Sequence, residues 1–209
     1  MNKFIKKLFF FKLGLLSCIL PLSPIQNLYS ETFNNSIEDN LSMTSKVLQK
    51  NISELKIIVM DRDRHIDLIS KMKDLGVEPI LIGDGDVSGG LKAAEGSVDL
   101  LYGIGAAPEG VITATAVKAM GGFFEGRLHF MDDSFKERAL EMLGNDINNL
   151  WSADDLCQSS DSFFIASGVC SGWIPGVKFD GNKAEVTSKI IFGDSKKTQI
   201  ITNEYILGE

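Results

Sequence analysis

The sequence predicts an α/β fold in which short, buried, parallel strands alternate with helices. Apolar runs at residues 55–60, 79–82 and 98–102 are rich in Ile, Val and Leu, as strands buried on both faces are. A charged or glycine-bearing loop follows each run directly. These loops are residues 61–65, 83–86 and 103–110. Because ligands of open α/β sheets bind beyond the carboxyl ends of the strands, the three loops are the predicted functional site.

Capping residues and apolar spacing predict the remaining elements. Ser36 is a capping side chain ahead of Glu38 and Asp39, and it predicts a helix that runs to Lys50. A second helix over residues 65–75 is expected to bury Ile66, Ile69 and Met72. Further helices are predicted after residue 86 and over 108–120 and 134–143, and strands over 123–130, 163–166, 177–179, 186–192 and 198–201.

Composition excludes some classes of function. The chain has 209 residues, 44% of them hydrophobic, and a net charge of −7. Nucleic-acid binding requires clustered Lys and Arg, which the chain lacks beyond its first dozen residues, so no nucleic-acid partner is expected. Its three cysteines form no CxxC pair, and this pattern favours a reducing compartment, the cytoplasm.

Residues 1–30 differ in composition from the rest of the chain. Three lysines precede an apolar stretch that ends at Leu22, which is the pattern of a signal peptide. The stretch from Leu13 to Leu22 is too short to predict a transmembrane helix, so a membrane partner is not expected. Two interpretations of residues 1–30 stay open: an export or anchoring segment, or sequence unrelated to the domain that begins at residue 31.

The first loop carries two arginines, Arg62 and Arg64, on either side of Asp63. In an extended backbone both guanidinium groups would leave the same side, where their forked N–H groups suit phosphate oxygens. A surface ion-pair cluster with the neighbouring aspartates is the alternative. His65, which follows, is interpreted as a structural residue that orients its neighbours.

The second and third loops carry carboxylates. Asp84, Gly85 and Asp86 form either a simple turn or a site for hydroxyl groups. Glu109 lies at a predicted helix start, where it complements the helix dipole or binds a hard cation. The three loops together predict an anionic, polyhydroxylated substrate handled with a metal ion.

The same loops resemble those of the class II fructose-1,6-bisphosphatases. The matching segments are VMDRDRH at 59–65, DGDV at 84–87, GIGAAPEGV at 103–111, GG at 121–122 and GRL at 126–128. They keep the family's order, and the resemblance covers residues 31–209. It implies a layered α/β sugar-phosphatase fold like that of the inositol monophosphatases, with the N-terminal part of that fold missing.

The resemblance also implies roles for individual residues. Arg62, Asp63, Arg64, Asp84, Gly85, Asp86 and Ala106 would contact the sugar bisphosphate, and Glu109 would bind Mn²⁺ or Mg²⁺. Asp63 departs from the family, which usually has proline there, and Ala106 stands where relatives often have glycine. The family's other metal-binding carboxylates precede the matched region, so no catalytic residue is assigned here.

The function implied by the resemblance is metal-dependent hydrolysis of fructose 1,6-bisphosphate to fructose 6-phosphate, in gluconeogenesis and glycerol metabolism. Sedoheptulose bisphosphate is an alternative substrate. The alternative function is a noncatalytic remnant that binds phosphosugar or acts as a partner subunit. The expected partners are accordingly a sugar bisphosphate and either a second copy of the chain or an intact relative.

Overall fold

The computed structural model describes residues 12–19, 36–130 and 132–208. The described residues form two β-sheets and flanking helices. The strands are β1 Lys12–Ile19, β2 Ile57–Met60, β3 Ile80–Ile82, β4 Leu100–Ala106, β5 Phe123–Leu128, β6 Trp151–Ser152, β7 Phe163–Ser167, β8 Lys178–Asp180, β9 Lys183–Phe192 and β10 Thr198–Ile206. The α-helices are α1 Ile37–Leu48, α2 Ile66–Asp74, α3 Asp86–Ala94, α4 Ala107–Met120, α5 Asp133–Leu143 and α6 Ala153–Leu156.

The first sheet has the strand order β3-β2-β4-β1-β5-β6. β2 pairs in parallel with both β3 and β4, as the three apolar runs predicted. β1 lies between β4 and β5 and is antiparallel to both, so the sheet is mixed. The α/β class is therefore confirmed, and the mixed sheet with its helices agrees with the phosphatase fold expected from the resemblance.

Helices cover both faces of this sheet because its strands are apolar on both sides. Ile57 and Val59 of β2 pack with Leu41 of α1 and Met72 of α2 in one buried cluster. The intervening Ile58 packs on the opposite face in a second cluster. That cluster includes residues of α3, α4 and α5, among them Ala94, Val117 and Ala139. The result is a helix, sheet and helix sandwich that places the carboxyl ends of β2, β3 and β4 at one edge.

Two helix starts are as the sequence predicted. The Ser36 side chain accepts a hydrogen bond from the backbone N–H of Asp39 at the start of α1. Pro108 lies in the first turn of α4, where its missing N–H has no cost. The prediction that α2 buries Ile66 was wrong, because Ile66 is 60% exposed and only Met72 of the helix is fully buried.

The second sheet has the order β10-β9-β7, with β8 paired to β9, and all of its pairings are antiparallel. β9 and β10 run three and five residues beyond the predicted strands. These extensions pair with each other in register. The first sheet and the helices on its two faces are called the first unit. β7 and β9 contact α4 of that unit, and this contact joins the second sheet to it.

Of residues 1–30, the structure describes only β1, and the rest of the predicted signal-like segment lies outside the described residues. The interpretation of that segment as exported, anchoring or unrelated sequence stays a prediction. None of the helices in the described ranges combines the length and apolarity that crossing a membrane requires.

Candidate functional site

The carboxyl ends of β2, β3 and β4 are joined by hydrogen bonds beyond the sheet pairing itself. The backbone N–H of Asp61, just after β2, donates to the carbonyl oxygen of Ile82 at the end of β3, at 2.8 Å. A small cavity lies at this edge, and it is lined by Met60, Asp86 and residues 101–105. The three predicted loops therefore meet at one place.

His65 fixes the first loop to the third. It is fully buried, its Nδ1 lies 2.8 Å from the carbonyl oxygen of Met60, and the backbone N–H of Ile104 donates to its Nε2 at 2.8 Å. Burial lowers the pKa of His65 and keeps the ring neutral. A neutral ring with Nδ1–H as donor and Nε2 as acceptor satisfies both contacts. His65 is thus a structural link, as the sequence indicated, and is not available as a general base.

Gly103 permits this close approach. Its φ is +155°, and a Cβ added there would lie 3.0 Å from Nε2 of His65. A side chain at this position would both strain the backbone and push the imidazole away. Packing on His65 therefore explains why a glycine occupies position 103 of the third loop.

The two arginines do not leave an extended strand side by side, so that geometric expectation was wrong. Asp63 begins a 3₁₀ turn that runs to His65, and the turn redirects the chain after Arg62. The Nε of Arg64 donates to the carbonyl oxygen of Ile104 at 2.8 Å, whereas Arg62 donates from Nη1 to the carbonyl oxygen of Asp61 at 3.2 Å. Both side chains are exposed, as is Asp63, and Arg64 is positioned over the β4 loop.

The second loop is held by its own side chains. Asp84 accepts from the backbone N–H of Gly85, and Asp86 accepts from the backbone N–H of Val87, each at 2.9 Å. Gly85 has a φ of +88° and forms the N-cap of α3. Burial raises the pKa of Asp86, and the negative charges of Glu109 and Asp84 raise it further. Asp86 therefore lies close enough to both Glu109 and Asp84 for their charges to act on it.

Ala106 and Glu109 lie at the start of α4. Ala106 is the N-cap residue in an extended conformation, and Glu109 lies in the first turn. One carboxylate oxygen of Glu109, Oε2, is buried and has no hydrogen-bond partner. A buried carboxylate oxygen without a donor is costly, and a bound cation would satisfy it.

The donor chemistry at this edge fits a hard divalent cation in part. Glu109 and Asp86 supply oxygen ligands of the kind that Mg²⁺ and Mn²⁺ prefer. Within residues 36–130 and 132–208, however, no group of three His, Cys, Asp or Glu side chains is placed to hold a metal ion. The described residues therefore provide a partial ligand set.

Sequence reasoning missed one charged group in the first sheet. Glu125 of β5 is 6% exposed, its Oε2 has no hydrogen-bond partner, and burial raises its pKa to about 7, an effect that Arg127 opposes. The detectable signal was a glutamate inside the apolar run that forms β5. A period-two pattern places Glu125 on the same face as Phe123, which packs on the α1 and α2 cluster.

A family model describing bacterial, glpX-encoded fructose-1,6-bisphosphatase matches residues 31–205. The chain is 34% identical over 192 residues to the D-fructose 1,6-bisphosphatase class 2/sedoheptulose 1,7-bisphosphatase of Trichodesmium erythraeum (strain IMS101), which covers 84% of this chain and 55% of that protein. It is 37% identical over 185 residues to the protein of the same description from Thermosynechococcus vestitus (strain NIES-2133 / IAM M-273 / BP-1), with 80% and 53% covered.

A third relative, D-fructose 1,6-bisphosphatase class 2/sedoheptulose 1,7-bisphosphatase 2 of Acaryochloris marina (strain MBIC 11017), is 36% identical over 183 residues, with 80% of this chain and 53% of that protein covered. The chain thus spans about half the length of the curated relatives it matches.

Proposed function

This chain belongs to the family of bacterial, glpX-encoded fructose-1,6-bisphosphatases, and on that premise we propose that it functions in the hydrolysis of sugar bisphosphates. The observation that carries the proposal is the common edge of β2, β3 and β4, where Asp86 lies near Glu109 and Arg64 is hydrogen-bonded to Ile104 of β4. A phosphosugar requires cationic groups for its phosphate and acceptors for its hydroxyl groups, and this edge offers both.

Arg64 is the residue best placed to bind a substrate phosphate. Its Nε is occupied by the carbonyl oxygen of Ile104, and this bond fixes the plane of the guanidinium group. Its Nη groups donate no hydrogen bond to any of the described residues, so they are available to phosphate oxygens. Arg62 adds positive charge on the same loop, and Asp63 between them reduces the local potential.

The sugar would be oriented by Asp84, Gly85 and Asp86, with Ala106 offering a backbone contact at the start of α4. Carboxylates accept hydrogen bonds from hydroxyl groups, and the N-terminal end of α4 favours anions. Fructose 1,6-bisphosphate and sedoheptulose 1,7-bisphosphate are the two candidate substrates, since the relatives' descriptions name both.

Mn²⁺ or Mg²⁺ is the cation that this edge would hold, through Glu109 with Asp86 beside it. When bound, such an ion neutralises charge on a phosphoryl group and activates water. The support is the unsatisfied oxygen of Glu109 and the negative charge that Glu109 and Asp84 place near Asp86, which a cation would offset. In the cell we place this activity in the cytoplasm, in gluconeogenesis and glycerol metabolism.

Phosphate release from fructose 1,6-bisphosphate in the presence of Mn²⁺ tests the proposed function. We expect negligible release by the chain alone, because two carboxylates would leave most coordination positions of a divalent cation to water. Co-expression with the part of the Trichodesmium relative outside the 192 matched residues should restore release. Restored release that Glu109→Gln leaves unchanged would contradict the role of Glu109.

A second candidate function is noncatalytic binding of phosphosugar, as a partner of an intact relative or of a second copy of the chain. It is favoured by the partial ligand set among the described residues. Binding of fructose 1,6-bisphosphate without phosphate release, even in the presence of the complementing segment, would decide for this alternative.

Mn²⁺ binding can be measured without turnover. The electron paramagnetic resonance signal of free Mn²⁺ should fall weakly on addition of the chain, and Glu109→Gln should abolish that fall. Glu141→Gln, on α5 at a distance from the site in sequence, is the matched control. An equal fall in all three proteins would refute the assignment of Glu109 as a ligand.

A further inference from the structure

The C-terminal sheet has one face that carries several large, exposed apolar side chains and no charged ones. We call it the outer face, and it is defined by Phe163, Ile165, Phe179, Ile190, Phe192 and Tyr205. The cross-strand registers place these residues together, because residues opposite one another in paired strands share a face. Phe163 is 61% exposed, Ile165 52%, Phe179 71% and Tyr205 52%.

The opposite face of the same sheet differs in both burial and charge. It carries Ile191, which is fully buried, and Lys189, which forms a 2.9 Å ion pair with Glu95 and lies over the ring of Trp173. Its other strand positions include Lys183, Glu185 and Glu204. A solvated sheet face normally carries such charges. Here only the end of the charged face that carries Lys189 and Ile191 is covered, whereas the outer face carries no charged side chain.

The edge strand β10 borders the outer face and contributes Tyr205 to it. β10 is nine residues long and pairs only with β9 among the described strands. Its exposed Ile200 and Ile206 lie on the opposite face, across from Lys189 and Lys183, and the strand contains no proline. Soluble proteins usually protect long edge strands with charges, proline or a covering element. Glu204 is the one charged residue of this nine-residue edge strand. A face of large apolar side chains next to a long edge strand has the character of a core that has been cut in half.

We propose that the outer face and the β10 edge form the docking surface for the polypeptide that makes up the remaining length of a class 2 bisphosphatase, whether that polypeptide is continuous with this chain or separate. Two observations favour this occupant. The family match reaches residue 205, so the whole sheet is a family element. The matched relatives are nearly twice as long as the span they share with this chain, and their additional residues require a surface on which to pack.

The inference rests on family membership and not on the substrate site. The outer face lies on the second sheet, whereas Arg64 and Glu109 lie at the edge of the first. Loss of docking would therefore leave sugar-bisphosphate binding by the chain intact, and loss of bisphosphate binding would leave docking intact. The two proposals can fail separately.

Co-purification tests the docking surface. The tagged 209-residue chain is co-expressed with the segment of the Trichodesmium relative outside the 192 matched residues, so that neither polypeptide has to fold alone. We expect the segment to be retained and the amide hydrogens of β10 to exchange more slowly in the complex. The double variant Ile165→Lys and Phe179→Lys should weaken retention on the order of 100-fold, since it places two charges in an apolar interface.

Leu140→Lys, on α5, is the matched control because Leu140 is also exposed, at 43%, and lies outside the sheet. It should retain the segment within about twofold of the unsubstituted chain, as expected for a change outside the interface. Absence of retention, or equal retention by both variants, would overturn the proposal. A dimer of the chain that the double variant dissociates would assign the outer face to a second copy and would also overturn it.

Discussion

The two sheets of this protein treat their exposed residues in opposite ways. At the carboxyl edge of β2, β3 and β4, the first loop exposes four charged side chains at residues 61–64, and a fully buried histidine fixes this loop to the third. On the outer face of the C-terminal sheet, exposed side chains such as Phe163, Ile165 and Phe179 are large and apolar. The first region has the properties of a small-molecule site, and the second has those of a surface that another polypeptide covers.

The two faces of the C-terminal sheet sharpen this contrast. Ile191 is fully buried and Ile165, on the neighbouring strand and the other face, is 52% exposed. Ile191→Ala should lower the free energy of unfolding by about 3 kcal/mol through lost burial and a cavity. Ile165→Ala should change it by less than about 0.5 kcal/mol. Urea denaturation of both variants provides the measurement, and equal losses would show that the outer face is covered within the chain itself.

The first sheet holds a buried charge that the second lacks, and this difference predicts a pH dependence. The pKa of Glu125 rises from 4.5 to about 7 in the folded state, so the folded state binds more protons between those values and stability falls as pH rises. The free energy of unfolding of the unsubstituted chain should fall by about 3 kcal/mol between pH 4.5 and pH 7, and Glu125→Gln should remove this fall. Urea midpoints across this range, with exposed Glu137→Gln as control, test it. A Glu125→Gln profile parallel to that of the unsubstituted chain would contradict the prediction.

The order of the site edge depends on the contact between Gly103 and His65. Gly103→Ala should destabilise the chain by about 2 kcal/mol, from backbone strain and displacement of the imidazole. Gly83→Ala is the control, because a Cβ there meets nothing within 4 Å. Thermal unfolding compares the two. If Gly103→Ala unfolds at the same temperature as Gly83→Ala, His65 does not fix the loop.

The smallest effect is expected for a surface ion pair of the C-terminal sheet. Lys183 lies 2.8 Å from Glu204, and both side chains are about half exposed. Lys183→Met should change the free energy of unfolding by less than about 0.5 kcal/mol, since solvent screens such pairs. A larger loss in urea denaturation would indicate that the β9 and β10 pairing depends on charge more than on packing.

Strong local patterns allowed much of the first unit to be predicted. β2 and β4 are largely buried, and both β3 and β4 pair in parallel with β2, as the apolar runs indicated. The predicted burial of β3 was wrong, because Ile80 and Leu81 at this edge of the sheet are 42% and 43% exposed. The cap at Ser36 and the proline in the first turn of α4 lie where the sequence indicated. These signals depend on a few neighbouring residues. The 3₁₀ turn after Arg62 was not predicted, because a DRDRH segment has no apolar period to distinguish a turn from an extended loop.

Features that depend on contacts between residues distant in sequence could not be predicted. The bond from Arg64 to Ile104 spans forty residues, and the exposure of Ile66 depends on where α2 packs on the sheet. The outer face could not be recognised either. Alternation along β9 resembles that of any half-buried strand, and only the cross-strand registers place its apolar side together with the exposed Phe163, Ile165 and Phe179.

The most direct test of the central claim is a calorimetric titration of the chain with fructose 1,6-bisphosphate, repeated for Arg64→Ala. We expect the chain to bind the bisphosphate. Arg64→Ala should weaken the binding free energy by about 1.5 to 3 kcal/mol, the contribution of a lost charge-assisted pair. Lys178→Ala, a cation on the C-terminal sheet, should leave the affinity unchanged. Equal affinity in the unsubstituted chain and Arg64→Ala, or no binding at all, would contradict the assignment of this edge as a sugar-bisphosphate site.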